Sequence, residues 1–140
     1  MEFINYGTNE RLDKLVDSED YQNRVKAVEQ NYALNILIND TNKYVRAAVA
    51  EQNYGLDILV NDPHVYVRRI VVEQAIKQNR KDLLNILIND EDTWVREDIA
   101  QNGYGLHILI NDPDSNVQYI VKEYLKKNNL SLDDWKKNDI

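Results

Sequence analysis

Tyr54–Gln74 reads YGLDILVNDPHVYVRRIVVEQ, and the same pattern returns along most of the chain. Leu12, Leu34, Leu56, Leu84 and Leu106 each open a copy, at spacings of 22, 22, 28 and 22 residues. The opening blocks are LDKLVDS, LNILIND, LDILVND, LNILIND and LHILIND. Twelve residues after the leading Leu stand Arg24, Arg46, Arg68 and Arg96, with Gln118 in the last copy. Five residues further come Glu29, Glu51, Glu73 and Glu123, with Gln101 in the fourth copy. Self-similarity at a period of this size predicts stacked supersecondary units, each too small to bury its apolar face alone.

Each copy reads as two helices. Leu56, Leu59 and Val60 stand at i, i+3 and i+4 and share one face of a short first helix. Asn61 and Asp62 interrupt it. Asp62 is then expected as N-cap and Pro63 as first residue of the second helix, because proline has no N–H to lose there. Asp112-Pro113 repeats the signal. Val67, Ile70, Val71 and Gln74 form the stripe of the second helix. Asn53 and Gly103-Tyr104-Gly105 suit the turns that close it, since Asn and Gly tolerate left-handed backbone. The slot two residues after the leading Leu holds Ile36, Ile58, Ile86 and Ile108, but Lys14 in the first copy. That slot is expected to face the preceding copy, with Lys14 and Asn23 as the polar marks of an N-terminal end unit.

The third copy is six residues longer, through AIKQNRKDL. Its second helix is expected to extend by one or two turns and to offset the stack near residues 76–82. Asn5-Tyr6-Gly7 echoes the Asn53-Tyr54-Gly55 turn. Residues 126–140 read as a C-terminal cap, with Ser131 and Asp134 as a capping box and Trp135 over the end of the core. Residues 1–140 are read as one helical-repeat domain.

The chain has 43% hydrophobic and 29% charged residues and a net charge of −7. The acid excess argues against general nucleic-acid or anionic-membrane binding and suits a soluble protein or one with a basic partner. With no Cys, disulfides, thiolate metal sites and Cys nucleophiles are excluded. No signal-like apolar segment occurs in residues 1–15, and no apolar run approaches a membrane span, so a cytoplasmic location is expected. Abundant Asn, Ile, Lys and Tyr, with their AT-rich codons, point to a low-GC bacterium or its phage.

The D-P-x-x-x-V-R signature, with its apolar helix and the following short L-x-x-L helix, resembles the HEAT-like repeat superfamily. With its 22-residue period it is similar to the short leucine-rich repeat variant type, over residues 12–125. The resemblance implies an all-α, right-handed α-solenoid of about five short two-helix repeats. It implies a scaffold that binds proteins. It also implies an internal ladder between neighbouring units, at Asp40, Asp62, Asp90 and Asp112 with Arg46, Arg68 and Arg96.

Those arginines could instead track phosphates, but a basic face is missing: each has an Asp six residues before it, and Arg46 and Arg68 have a Glu five after. Tyr44, Tyr66 and Trp94 share one phase near the start of the second helices, with Gln22 and Asn116 in the end copies. They either pack between repeats or anchor a partner, as exposed Trp and Tyr do at interfaces. The candidate partner surface combines them with Glu51, Arg69, Glu73 and Glu97. Tyr32, Tyr54 and Tyr104 read as staples of the turns. Asp112-x-Asp114-x-Asn116 with Glu123 matches part of a calcium loop, but Val117 stands where the sharp turn needs Gly. His64 and His107 stand in different phases of the repeat. No convergent set of catalytic groups, metal ligands or cofactor motif is found, so no enzyme, metal or cofactor is expected. Asp98 fills a slot held elsewhere by Ile70 and Ile120. Regular carboxylates, with Asp13 and Asp57 expected on the short-helix surface, leave a second reading: an acidic nucleic-acid mimic of phage origin that inhibits a host enzyme. A monomer or weak homodimer is expected.

Overall fold

The computed structural model describes residues 9–131. They form ten helices and, among the described residues, no strand: the protein is all-α. No helix among them is long and apolar enough to cross a membrane. Short and longer helices alternate. α1 (Glu10–Val16), α3 (Leu34–Leu37), α5 (Leu56–Leu59), α7 (Lys81–Leu87) and α9 (Leu106–Leu109) are the first helices of the copies. α2 (Tyr21–Glu29), α4 (Lys43–Glu51), α6 (Val65–Lys77), α8 (Thr93–Gln101) and α10 (Ser115–Lys127) are the second. The Asn5-Tyr6-Gly7 echo, and the terminal capping helix apart from Ser131, lie outside the described residues.

The chain packs as two compact units that divide between Gln74 and Ala75, within α6. In the first, α1 packs on α2 and α2 on α4, with α3 and α5 against the flanks of the longer helices. Its core takes Leu12 and Val16 from α1, Val28 from α2, Val45 and Val49 from α4, Leu56 and Leu59 from α5, and Val67 and Val71 from α6, all buried. In the second, α7 packs on α8, and α8 and α9 on α10, around buried Leu83, Leu84, Leu87, Ile99, Leu106, Leu109, Val117 and Val121. The i, i+3, i+4 stripes therefore do what amphipathic patterning requires of them.

Each turn into a four-residue helix uses two left-handed residues around a tyrosine: Asn31 and Ala33 before α3, Asn53 and Gly55 before α5, Gly103 and Gly105 before α9. At the second of these positions space matters as well as φ. A Cβ on Gly55 would overlap Ile38 Cδ1, and one on Gly105 would overlap Ile88 Cδ1. Ala33 is the exception, and the residue 17 positions before it is Val16, which lacks a Cδ1 carbon. The sequence thus matches a smaller partner with a Cβ and a larger one with none.

Three expectations are corrected. First, the N-cap lies two residues later than Asp62. Asp62 accepts the His64 amide at 2.9 Å, and His64 Nδ1 accepts the Tyr66 amide at 3.1 Å. Pro63 therefore sits in the turn, not in the helix. Asp40–Asn42–Tyr44, Asp90–Asp92–Trp94 and Asp112–Asp114–Asn116 repeat this two-step relay, with every bond at 2.8–2.9 Å. The motif aspartate braces the turn, and the residue two later caps the helix.

Second, Ile36, Ile58, Ile86 and Ile108 are exposed, at 45–64%, and do not face a preceding copy. The Leu three residues after the leading one is buried in each of these copies, and the leading Leu is half-buried at Leu34 and buried at Leu56, Leu84 and Leu106, which turns the residue between them outward. Lys14 is exposed in the same slot, so it does not mark an end unit. Third, Asp13 is not on the surface: it is 1% exposed and accepts the Tyr32 hydroxyl proton.

The six extra residues of the third copy split into two parts. Relative to α4, α6 runs four residues further, to Lys77, and α7 starts three residues before Leu84. The connecting turn is one residue shorter, which brings the net to six.

Candidate protein-binding face

The start of each second helix is built by the relay just described, and it places two kinds of side chain in register. One is the arginine of the ladder. Arg24 donates Nε–H and Nη2–H to Asp40 at 2.8 and 3.1 Å. Arg46 does the same to Asp62 at 2.8 and 3.1 Å, and Arg96 to Asp112 at 2.8 and 3.2 Å. Each pair spans 16 residues, from one copy to the next. Nη1 turns the other way and donates to a backbone carbonyl six residues back: Ser18 from Arg24, Asp40 from Arg46, Asp62 from Arg68 and Asp90 from Arg96. Gln118 reaches the Asp112 carbonyl in the last copy, so it keeps the backbone half of the rung.

For Arg46 and Arg96 the Asp six residues before thus lends its backbone, while the next copy's Asp lends its carboxylate; for Arg24 the backbone half comes from Ser18. Hydrogen bonding to that carboxylate raises the pKa of Arg24, Arg46 and Arg96 above the usual guanidinium value; burial opposes the shift and the partner's charge adds to it. Forks of this geometry are the strong form of the ion pair. Arg24, absent from the expected ladder, is its first rung. Arg24, Arg46 and Arg96 are thereby committed to protein partners, which removes them as a phosphate-tracking stripe. The calcium-like loop is likewise occupied. Asp112 holds Arg96 and the Asp114 amide, and Asp114 caps Asn116 and Val117. No group of three metal-ligating side chains occurs among the described residues.

The other side chain is aromatic. In the first unit Tyr21 stacks on Tyr44 at 5.7 Å between centroids, and Tyr44 meets Tyr66 edge-on at 5.4 Å. Tyr44 remains 44% exposed. Tyr21 was not expected here, because it stands one residue before the shared phase, where Gln22 is the counterpart of Tyr44. The signal for it is positional. α2 begins one residue after its capping Asp20, so its first two side chains, Tyr21 and Gln22, both reach the same rim.

Together the tyrosines close one end of a groove of about 460 Å³ between α2 and α4, with Ala47 and Ala48 in its wall and Glu29 and Glu51 at the other end. Lys43 Nζ stands 5.3 Å from the Tyr44 ring centre and 3.2 Å from His64 Nε2. The pKa of Tyr66 is raised above 10.0, first by burial, then by the charge of Glu51, with Tyr44 and Glu73 adding and Arg69 opposing.

The structure therefore gathers Tyr44, Tyr66 and Glu51 in one place, with Arg69 and Glu73 close enough to bear on Tyr66. Trp94, 56% exposed, and Glu97 belong to α8 of the second unit. That unit has a groove of its own, about 520 Å³, lined by Tyr119, Tyr124, Glu123 and Lys127 of α10. Asp98 is half-buried, and its carbonyl accepts an Asn102 side-chain N–H at 2.7 Å. Of the turn tyrosines, Tyr32 bonds Asp13, and Tyr104 donates to Asn85 at 2.6 Å.

No protein-family model matches this chain, and neither curated proteins nor solved structures include one similar to it.

Proposed function

We propose that the protein is a non-enzymatic interaction scaffold, a right-handed α-solenoid of short HEAT-like repeats of the leucine-rich repeat variant type, which binds a protein partner through its second helices. The Tyr21–Tyr44–Tyr66 array carries this reading. Three aromatic side chains from three successive copies line one groove, and Tyr44 keeps nearly half its surface open. A ring set that served the core alone would be closed over by it. Held by neighbours and left accessible, these rings lose little freedom on binding and present large apolar faces with a polar rim.

The ladder supports the scaffold part. Each Arg–Asp rung ties one copy to the next with the same three donors, so the helix starts that carry the tyrosines are fixed relative to one another within the unit. The acidic-mimic reading is weaker. Asp40, Asp62 and Asp112 face arginines and Asp13 is buried, which leaves Glu29, Glu51, Glu73 and Glu123 as the regular carboxylates on display.

The test is affinity capture with the wild-type chain beside a Tyr44→Ala/Tyr66→Ala variant whose helicity is checked by circular dichroism. The reading expects a partner that is lost with the folded variant and only modestly weakened by salt. A partner that survives the variant and is released steeply by salt would favour the mimic, because screening acts on charge–charge contacts first.

A further inference from the structure

We infer that the groove of the first unit receives an arginine- or lysine-bearing segment of the partner protein, tyrosines against its apolar stems and Glu29 and Glu51 against its cationic heads. The inference rests on the binding reading above and narrows it to one partner chemistry.

The groove is graded along its length. Tyr21 is the first residue of α2 and Tyr44 the second of α4, whereas Glu29 and Glu51 are the last residues of the same helices. Eight residues of helix separate Tyr21 from Glu29, a rise of about 12 Å, which is the span of three or four extended residues. An aromatic end and an anionic end at that separation match a segment with apolar side chains at one end and basic ones three or four residues further on, since residues i and i+4 share one face of an extended chain.

The glutamates are also placed where helix electrostatics disfavours them. A helix C-terminus carries the negative end of the macrodipole and its unpaired carbonyls, and cations are the residues that suit it. Here two neighbouring second helices end in glutamate, and α4 has no basic residue in its last turn. The carboxylates add to the potential of the helix ends instead of neutralising it. Among the lining residues these two acids stand against one ammonium, that of Lys26.

The pKa of Tyr66 is raised first by burial, and the charges of Glu51 and Glu73 add to the rise more than Arg69 opposes it. The rings themselves accept cations: Lys43 lies over Tyr44 within cation–π range. A partner's arginine stem can lie along the rings and reach a carboxylate with its guanidinium fork.

The experiment is an NMR titration of the ¹⁵N-labelled chain with a capped hexapeptide of three leucines followed by three arginines. The same peptide with glutamine for arginine is run beside it. The expected result is a shift of the Tyr44, Ala47, Ala48 and Glu51 amides by the arginine peptide. Binding should weaken about tenfold in Glu29→Gln/Glu51→Gln, and measurably in Glu29→Gln alone. It should persist in Glu19→Gln/Glu91→Gln, which lowers the net charge equally at exposed sites outside the groove. If the glutamine peptide shifts the same amides as strongly, the groove binds but not through cations, and this inference fails while the scaffold reading stands. If both charge variants weaken binding equally, general attraction to an acidic protein explains the result and the inference is overturned. If neither peptide shifts a groove amide, both are refuted.

Discussion

The Arg46–Asp62 rung is the sharpest place to test how the copies are joined. Arg46→Met keeps most of the side-chain stem and removes three donors, two to the Asp62 carboxylate and one to the Asp40 carbonyl. It leaves a carboxylate whose side chain is 4% exposed, opposite a guanidinium site only 15% exposed. Loss of one partner from a buried pair costs about 3–5 kcal/mol, and the partial exposure of Arg46 argues for the lower end, about 3 kcal/mol. Asp62→Leu should cost about the same, because it strands Arg46 and the His64 amide together. The double variant strands no charge. It leaves only the His64 N–H and the Asp40 carbonyl short of a partner, about 1 kcal/mol each. The singles therefore sum to about 6 kcal/mol and the double reaches about 2, a coupling of about 4 kcal/mol, which is large for a pair in contact. Urea denaturation followed by far-ultraviolet circular dichroism measures all four corners of the cycle. Effects that add to within about 0.5 kcal/mol would refute the argument and make the rung a surface pair. The arginine adds no pH dependence in the neutral range. Its folded pKa is raised above the ordinary guanidinium value, so its contribution is complete below that value and is lost only above it.

Three further outcomes follow from the geometry. Gly55→Ala should destabilise by about 1–2 kcal/mol from left-handed backbone alone and by more from overlap with Ile38; adding Ile38→Val, which recreates the Val16–Ala33 combination, should recover part of the loss in thermal melts, and no recovery would separate the two positions. Tyr66 has a pKa raised first by burial and then by Glu51, so the stability it contributes is fully present below 10.0 and lost as pH rises through its folded value; Tyr66→Phe should flatten the alkaline limb of the stability profile, and an unchanged limb would contradict the burial and charge assigned at that hydroxyl. His64→Asp should stabilise by about 0.5–1 kcal/mol, because the other second helices are capped by Asp20, Asn42, Asp92 and Asp114 and aspartate accepts the N2 amide better than imidazole; a lower melting temperature would mean that His64 is kept for its contact with Lys43.

The helices were legible because their signals are local. Leu56 and Leu59 at i and i+3, Val67 and Val71 at i and i+4, and Asn53 and Gly103 at the turns declare themselves within one turn of helix. The Asp62-Pro63 start was misplaced by two residues for an equally physical reason. Asp62 looks like a cap in isolation, but Arg46 claims its carboxylate, and the cap passes to the next side chain able to accept. Ile58 read as core because it is isoleucine in a repeated slot; on a helix of one turn only two positions can face inward, and Leu56 and Leu59 fill them. Of the candidate binding residues, the shared phase exposed Tyr44 and Tyr66 but not Tyr21, whose place beside Tyr44 depends on how α2 lies against α4.

By itself the sequence determined an all-α chain of repeated short and longer helices, the residues that close each turn, and an arginine and an aspartate recurring at fixed offsets. Those properties follow from backbone preference and helical period, which act over a few residues. Only the tertiary structure decided which aspartate each arginine meets, which isoleucines face water, that Asp13 is buried beneath Tyr32, and that three tyrosines share one groove. Each of these is a distance between copies, about 20 residues apart along the chain, and it is set by how side chains of different size settle against each other when the helices stack.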